Sequence, residues 1–126
     1  MLVVTPFYAA ALAVLFIILS ARVIAGRRTG RVLIGAGGDA GLERRIRVQA
    51  NFAEYAPFTL LLLVIAEVRG APPLWLHLLG VCLLVGRVVH AAGVSRVRED
   101  TRIRIIGMVL TFTALAGAAL LGVLPR

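Results

Sequence analysis

The residues most suited to chemistry lie between positions 44 and 54, where charged and amide side chains run into an otherwise apolar segment. Arg47, Asn51 and Glu54 are spaced four and then three residues apart, so on an α-helix they project from one face. Arg44 extends this stripe by one turn. Several guanidinium groups beside one carboxylate and one amide offer partners for two carboxylates and an ammonium group. The stripe therefore predicts a pocket for a small anionic ligand.

Other polar residues also stand in apolar surroundings. Arg87 and His90 lie within the third apolar run, and Arg102 and Arg104 begin the fourth. A charged side chain near the centre of a bilayer costs about 3 kcal/mol on insertion scales, so unpaired placements facing lipid are disfavoured. A purely structural alternative stays open: Arg47 and Glu54 pair across helices, Asn51 bridges helices, and the remaining arginines reach anionic headgroups.

The composition is that of a membrane protein. The chain has 126 residues, of which 60% are hydrophobic, and its net charge is +8. The basic residues are all arginine, but long apolar runs with few aromatic residues exclude a soluble nucleic-acid-binding protein. The histidines, His77 and His90, and the single cysteine, Cys82, lack the spacing of metal ligands, so no metal site is predicted. Cys82, among leucines and valines, is expected to pack in the core.

Four transmembrane helices are predicted, at about residues 5–25, 42–68, 73–94 and 101–124, within one all-α domain. Asp39 follows a glycine-rich loop and is placed to cap the second helix. Pro72 and Pro73 suit the start of the third helix, and Trp75 and His77 suit the membrane interface. The first run has no arginine before residue 22, so it predicts a retained helix rather than a cleaved signal peptide.

Charge asymmetry predicts the orientation. Seven arginines lie in or beside the loop between the first and second helices, and four lie in or beside the loop between the third and fourth. Two, Arg69 and Arg126, lie at the opposite ends of the helices. By the positive-inside rule both arginine-rich regions are cytoplasmic and both termini lie outside. Small residues at four-residue spacing, Ala114, Ala118 and Gly122 in the fourth helix with Ala9 and Ala13 in the first, permit close helix packing. Because so small a bundle hides a polar stripe with difficulty, we expect an oligomer whose interfaces complete the site.

The run ERRIRVQANFAEYAPF at positions 43–58 resembles the signature of the MAPEG family, the membrane-associated proteins in eicosanoid and glutathione metabolism. The family pattern is close to E-R-x-x-R-A-x-x-N-x-x-E-x-x-P, and the length and four-helix plan are also similar. The resemblance implies a homotrimer in the bacterial inner membrane, with three glutathione sites between adjacent subunits, open to the cytoplasm. Glutathione would be a co-substrate, and a small lipophilic molecule from the bilayer would be the second substrate.

The resemblance also implies roles for single residues. Arg47, Asn51 and Glu54 match glutathione contacts of the family, and Arg44 belongs to the same stripe. Gln49 stands where relatives carry Gln or His, and Tyr55 matches a tyrosine of the leukotriene-synthase branch. The stretch from Gly86 to His90 is similar to a G-R-x-x-H stretch of the prostaglandin-synthase branch, which makes Arg87 and His90 candidate contacts. Arg104 resembles the arginine that stabilises the glutathione thiolate.

Two departures from the family pattern affect the catalytic step. Val94 stands where several members carry a tyrosine, and the spacing from His90 to Arg104 is one residue longer, so Arg102 competes with Arg104 for the catalytic role. The short bacterial branch of the family is the most similar. We therefore expect a glutathione transferase or peroxidase, with a non-catalytic binding or scaffold protein as the alternative.

Overall fold

The computed structural model describes residues 1–96, 98 and 100–124, and it is built from four α-helices. Helix α1 spans Thr5–Gly30, α2 spans Ala40–Val68, α3 spans Pro73–Val94 and α4 spans Thr101–Val123. No β-strand occurs within these residues. The all-α, four-helix prediction is confirmed.

The helix ends are set by recognisable caps. Asp39 accepts hydrogen bonds from the backbone N–H groups of Gly41 (2.7 Å) and Leu42 (3.1 Å), so it caps α2 as predicted, although α2 begins at Ala40 rather than Leu42. Helix α1 extends to Gly30, five residues beyond its predicted end. Arginine is a good helix former, and cations are favourable in a last turn, so Arg27 and Arg28 continue the helix instead of ending it.

Helix α2, like α3, packs against each of the other three helices. Its buried residues recur every three or four positions, at Val48, Phe52, Ala56, Thr59, Leu63 and Ala66. The polar stripe is offset from this buried line by about one residue, or roughly 100° around the helix. Arg44, Arg47 and Asn51 of the stripe therefore lie at the edge of the core, on the side that faces α3 and α4.

The outside of the bundle is apolar. Each of the four helices is long and apolar enough to span a bilayer. Large hydrophobic side chains such as Phe7, Ile17 and Val109 are more than half exposed. A soluble protein rarely exposes apolar surface of this extent, whereas lipid tails are its natural surroundings. The chain is a multi-pass membrane protein.

Small residues allow close packing on α4 but not on α1. Ala114 and Ala118 are fully buried, and Gly122 is also buried, as their four-residue spacing predicts. Ala9 and Ala13 instead line an open apolar groove of about 210 Å³ between α1 and α2. Within a single chain these two alanines therefore do not form a close helix contact.

The start of α1 is capped by a residue from the end of α2. Val4, the N-cap residue, provides no side-chain cap of its own. The Glu67 carboxylate instead accepts hydrogen bonds from the backbone N–H groups of Val3 (2.6 Å), Val4 (2.7 Å) and Thr5 (2.8 Å), and from the Thr5 hydroxyl. A carboxylate at a helix N-terminus also interacts favourably with the helix dipole. Glu67 thus fixes α1 to α2 at the end of the bundle that holds the chain's N-terminus.

We expect Glu67→Ala to lower the stability of the bundle by about 1–2 kcal/mol, the usual cost of removing an N-cap acceptor. Thermal unfolding in detergent, followed by circular dichroism, measures this change. Glu67→Gln is the matched control, because it keeps one acceptor oxygen at the same place and should retain part of the stability. An unfolding temperature for Glu67→Ala equal to that of the unchanged protein would contradict the assigned role.

Candidate functional site

A polar cleft of about 240 Å³ opens at the end of the bundle where α2 and α4 begin and α3 ends. Three helices supply its walls. The residues that line it are Ala40, Glu43, Arg44, Arg47, Asn51, His90, Val94 and Arg104. Three guanidinium groups, one carboxylate, one amide and one imidazole therefore surround a single small volume, which is the polar environment that an anionic ligand with an amine needs.

The arginines of the cleft differ in how firmly they are held. Arg44 is half-buried, and its Nη1 donates a hydrogen bond to the backbone carbonyl of Val94 (3.3 Å), which ties α2 to the end of α3. Arg47 and Arg104 are exposed on α2 and α4. Arg44 therefore defines the edge of the cleft, and Arg47 and Arg104 are exposed where they line it.

Arg87 lies beneath the cleft, with only 2% of its surface exposed. Its Nε donates to the Thr111 hydroxyl (3.0 Å), and its Nη1 donates to Asn51 Oδ1 (2.5 Å). Its Nη2 donates to the sulfur of Met108 (3.4 Å), and the guanidinium carbon lies 5.8 Å from the centre of the Tyr55 ring. One buried guanidinium thus joins α2, α3 and α4 through neutral partners.

The contact with Arg87 fixes which way the Asn51 amide points. A guanidinium can only donate hydrogen bonds, so the oxygen of the amide must face Arg87. The NH₂ group is then what Asn51 offers to the cleft. Together with the three arginines, this makes most of the cleft wall a set of hydrogen-bond donors, which favours carboxylate and carbonyl groups in a ligand.

His90 and Arg104 are brought together by a close contact between α3 and α4. His90 is buried, at 4% exposure. A Cβ atom on Gly107 would lie only 2.6 Å from the backbone nitrogen of His90, so the helices touch backbone to backbone there. Arg104 lies three residues before Gly107, about one helical turn, and therefore reaches the same cleft.

Several predicted site residues lie elsewhere in the single chain. Gln49 Nε2 donates to the Ser20 hydroxyl (2.9 Å) on α1, away from the cleft. Glu54 is exposed on α2 and Arg102 is exposed on α4, and neither lines the cleft. The Tyr55 and Phe112 rings are nearly perpendicular, with their centres 5.5 Å apart. Of the eight predicted glutathione contacts, the cleft gathers Arg44, Arg47, Asn51 and His90, and it also includes Arg104.

The structural alternative predicted that Asn51 bridges helices and that Arg47 and Glu54 pair across helices. The first contact is present and the second is not. Asn51 does bridge two helices, through its bond to Arg87. Arg47 and Glu54 lie on the same helix, separated by seven residues, or about 10 Å along its axis. They therefore do not pair across helices within one chain.

Sequence reasoning did not identify Glu43, Thr111 or Met108 as part of this region. Glu43 was visible as the first residue of the signature run, one position before Arg44. Thr111 and Met108 are uncharged, so their residue types do not mark them as site residues. They contact Arg87 because α4 crosses it. Within the described residues, no three His, Cys, Asp or Glu side chains are grouped to hold a metal ion. The lone Cys82 is half-buried.

Thr111→Val is expected to destabilise the protein by about 1.5–3 kcal/mol, the range for a hydrogen bond to a charged group. The substitution keeps the shape of the side chain but leaves Arg87 Nε buried without its acceptor. Thr113→Val is a matched control on the same helix. Both hydroxyls donate to the carbonyl four residues earlier at 2.8 Å, but Thr113 is exposed and bonds no arginine. Equal unfolding temperatures for the two variants would show that the Arg87 contact contributes nothing.

Comparison with known proteins gives a consistent result. The model of the MAPEG family matches residues 5–124, which includes all four helices. The inner membrane protein YecN of Escherichia coli K12 is 36% identical over 90 residues, covering 71% of this chain and 69% of the relative. The protein of the same name from Escherichia coli O6:H1 matches equally well, with 36% identity over the same length.

Proposed function

Because this chain belongs to the MAPEG family of membrane proteins, we propose that it binds glutathione in the polar cleft and uses it as a transferase or peroxidase. The observation that carries the proposal is the cleft itself, where Arg44, Arg47 and Arg104 converge with the donor side of Asn51. Glutathione has two carboxylates, one ammonium group and one thiol. The arginines suit the carboxylates and the thiolate, and Glu43 suits the ammonium group.

We also propose that three copies assemble and complete the site at their interfaces. Arg47 and Glu54 are both exposed on α2, although charged groups are disfavoured against lipid. A neighbouring subunit would cover these two side chains. Its own Glu54 and Tyr55 would then reach a ligand held by the cleft of the first subunit. The same assembly would account for two predicted contacts that a single chain leaves outside the cleft.

The chemistry requires a glutathione thiolate. A free thiol with a pKa of about 8.5 is mostly protonated at neutral pH, and a guanidinium within hydrogen-bond reach favours the deprotonated form. In a conjugation, the thiolate sulfur forms a bond to an electrophilic carbon and displaces its leaving group. In a peroxidase cycle, the thiolate sulfur attacks the terminal oxygen of a hydroperoxide, the O–O bond breaks, and the alkoxide leaves and takes a proton from water to become the alcohol. The resulting sulfenic acid then reacts with a second glutathione thiol to give the disulfide and water. Arg104 is assigned as the residue that holds the thiolate.

The proposed orientation places the cleft on the cytoplasmic side of the bacterial inner membrane and both termini outside. The relatives' name places them in the inner membrane. Arginines concentrate at the end of the bundle that carries the cleft, and this asymmetry supports the orientation. A lipophilic electrophile or hydroperoxide would then arrive from the bilayer, while glutathione would arrive from the cytoplasm.

The test is calorimetric titration of the purified protein with glutathione in detergent. The unchanged protein should bind, and Arg47→Ala should abolish measurable binding. Arg45→Ala is the matched control, since Arg45 is two residues away on α2 and donates to the Arg22 carbonyl (3.1 Å) outside the cleft. Native mass spectrometry of the same sample should show three subunits with retained glutathione. Undiminished affinity in Arg47→Ala would overturn the site assignment.

One observation favours the alternative of a non-catalytic binding protein. Val94, which stands where several relatives carry a tyrosine, lines the cleft and supplies only an apolar surface there. A protein that binds glutathione but leaves its thiol protonated would fit this alternative. Ultraviolet absorbance of the bound thiolate distinguishes the two functions, because only the enzyme should show it at neutral pH.

A further inference from the structure

A second groove, of about 350 Å³, lies at the end of α1 and is separate from the polar cleft. It is lined by Ile24, Arg27, Arg28, Arg31, Val32 and Leu33. The lining combines three aliphatic side chains with three arginines and includes no carboxylate. Nothing in the proposed glutathione chemistry uses this groove.

The groove is a built feature, because backbone bonds fold the chain back at this point. Arg31 has a left-handed conformation (φ 53°), and the Val32 N–H donates to the Arg27 carbonyl (3.0 Å). Arg27 Nη1 then donates to the carbonyls of Leu33 (3.3 Å) and Gly35 (2.7 Å). Arg27 is therefore used to hold the loop. Arg28 and Arg31 are exposed at the rim of the groove.

The position of the groove suits the boundary between hydrocarbon and headgroups. Ile24 is 56% exposed and continues the apolar outer surface of α1. Leu33 and Ile34 are 93% and 91% exposed, directly after the arginines. Large aliphatic side chains with this exposure favour the hydrocarbon edge, while arginines at the same level reach phosphate groups.

We propose that this groove binds an anionic phospholipid of the surrounding leaflet. Arg28 and Arg31 would contact the phosphate and the anionic headgroup, and Ile24, Val32 and Leu33 would contact the upper part of an acyl chain. Charge complementarity selects the headgroup, because the groove presents guanidinium groups with no acidic residue in its lining. The aliphatic lining selects a lipid over a soluble phosphate, which offers nothing to cover it.

The test is native mass spectrometry of the detergent-purified chain, titrated with phosphatidylglycerol or with phosphatidylcholine of the same acyl chains. The unchanged protein should bind phosphatidylglycerol more tightly. The double variant R28Q/R31Q should lose affinity for it on the order of 20- to 30-fold, or about fivefold for each arginine, with little change for phosphatidylcholine. R96Q/R98Q is the matched control, since it removes the same charge from exposed positions in the α3–α4 connection.

A second variant tests the apolar half of the groove. Leu33→Asn keeps every arginine and should weaken binding of long-chain phosphatidylglycerol, while glycerol phosphate added in excess should not displace the lipid. Equal affinity for the two lipids, or equal loss in R28Q/R31Q and R96Q/R98Q, would overturn the proposal. So would a changed subunit count in R28Q/R31Q, because the groove would then be an interface with a second copy.

Discussion

Replacing Arg104 by alanine should lower the rate of glutathione conjugation about 25-fold at pH 7. If the guanidinium lowers the pKa of the bound thiol by about two units, or roughly 2.7 kcal/mol, its removal returns the thiol to its ordinary pKa near 8.5. The thiolate fraction then falls about 25-fold at pH 7 and about 50-fold at pH 6.5. Arg104 is chosen over Arg102 because Arg104 lines the cleft while Arg102 is exposed outside it.

The pH profile separates this effect from a general loss of structure. In the unchanged protein the rate should reach half of its plateau near pH 6.5 and level off about one pH unit higher, where the thiol is deprotonated. In Arg104→Ala the rate should keep rising until about pH 8.5 and recover much of the difference. Arg102→Ala serves as the control and should keep the original profile. If Arg102→Ala loses activity while Arg104→Ala does not, the catalytic assignment on α4 is wrong by two residues.

The sequence predicted the helices and much of the cleft for a simple reason. Helical spacing alone places Arg44, Arg47 and Asn51 on one face of α2, and all three line the cleft. Gln49 lies two residues from Arg47 and therefore about 160° around the helix from it. Gln49 accordingly contacts Ser20 on α1. The family resemblance made Gln49 a candidate contact, and its helical position explains why it does not line the cleft of a single chain.

The rest of the site depends on how the helices cross. The spacing of residues within one helix carries no information about that crossing. Arg87 was predicted as a ligand contact on its family match, but α4 covers it and supplies Thr111 and Met108 as its partners. The choice between Arg102 and Arg104 was also left open by the sequence. Which of the two arginines lies at the cleft depends on the rotation of α4 about its axis, and the contact of Gly107 with the backbone of His90 fixes that rotation.

Gly107→Ala should therefore be among the most damaging small substitutions in the chain. The added Cβ would lie 2.6 Å from the nitrogen and 2.8 Å from the Cα of His90, and a backbone cannot move aside as a side chain can. The helices must separate, at a cost of about 2–3 kcal/mol for overpacking. Because His90 and Arg104 lie on the two sides of this contact, the separation should also widen the cleft and weaken glutathione binding about tenfold or more, equivalent to 1.4 kcal/mol.

Gly117→Ala is the control that isolates the backbone contact. It lies on the same helix, and its added Cβ would also approach another atom to 2.6 Å, but that atom is Cδ2 of Leu79, the end of a flexible side chain. A change of rotamer removes the clash, and alanine is up to about 1 kcal/mol better than glycine within a helix. Thermal unfolding of both variants should show a large loss for Gly107→Ala and almost none for Gly117→Ala. Similar losses in both would mean that α4 is not positioned by its contact with His90, and the assignment of Arg104 to the cleft would lose its structural basis.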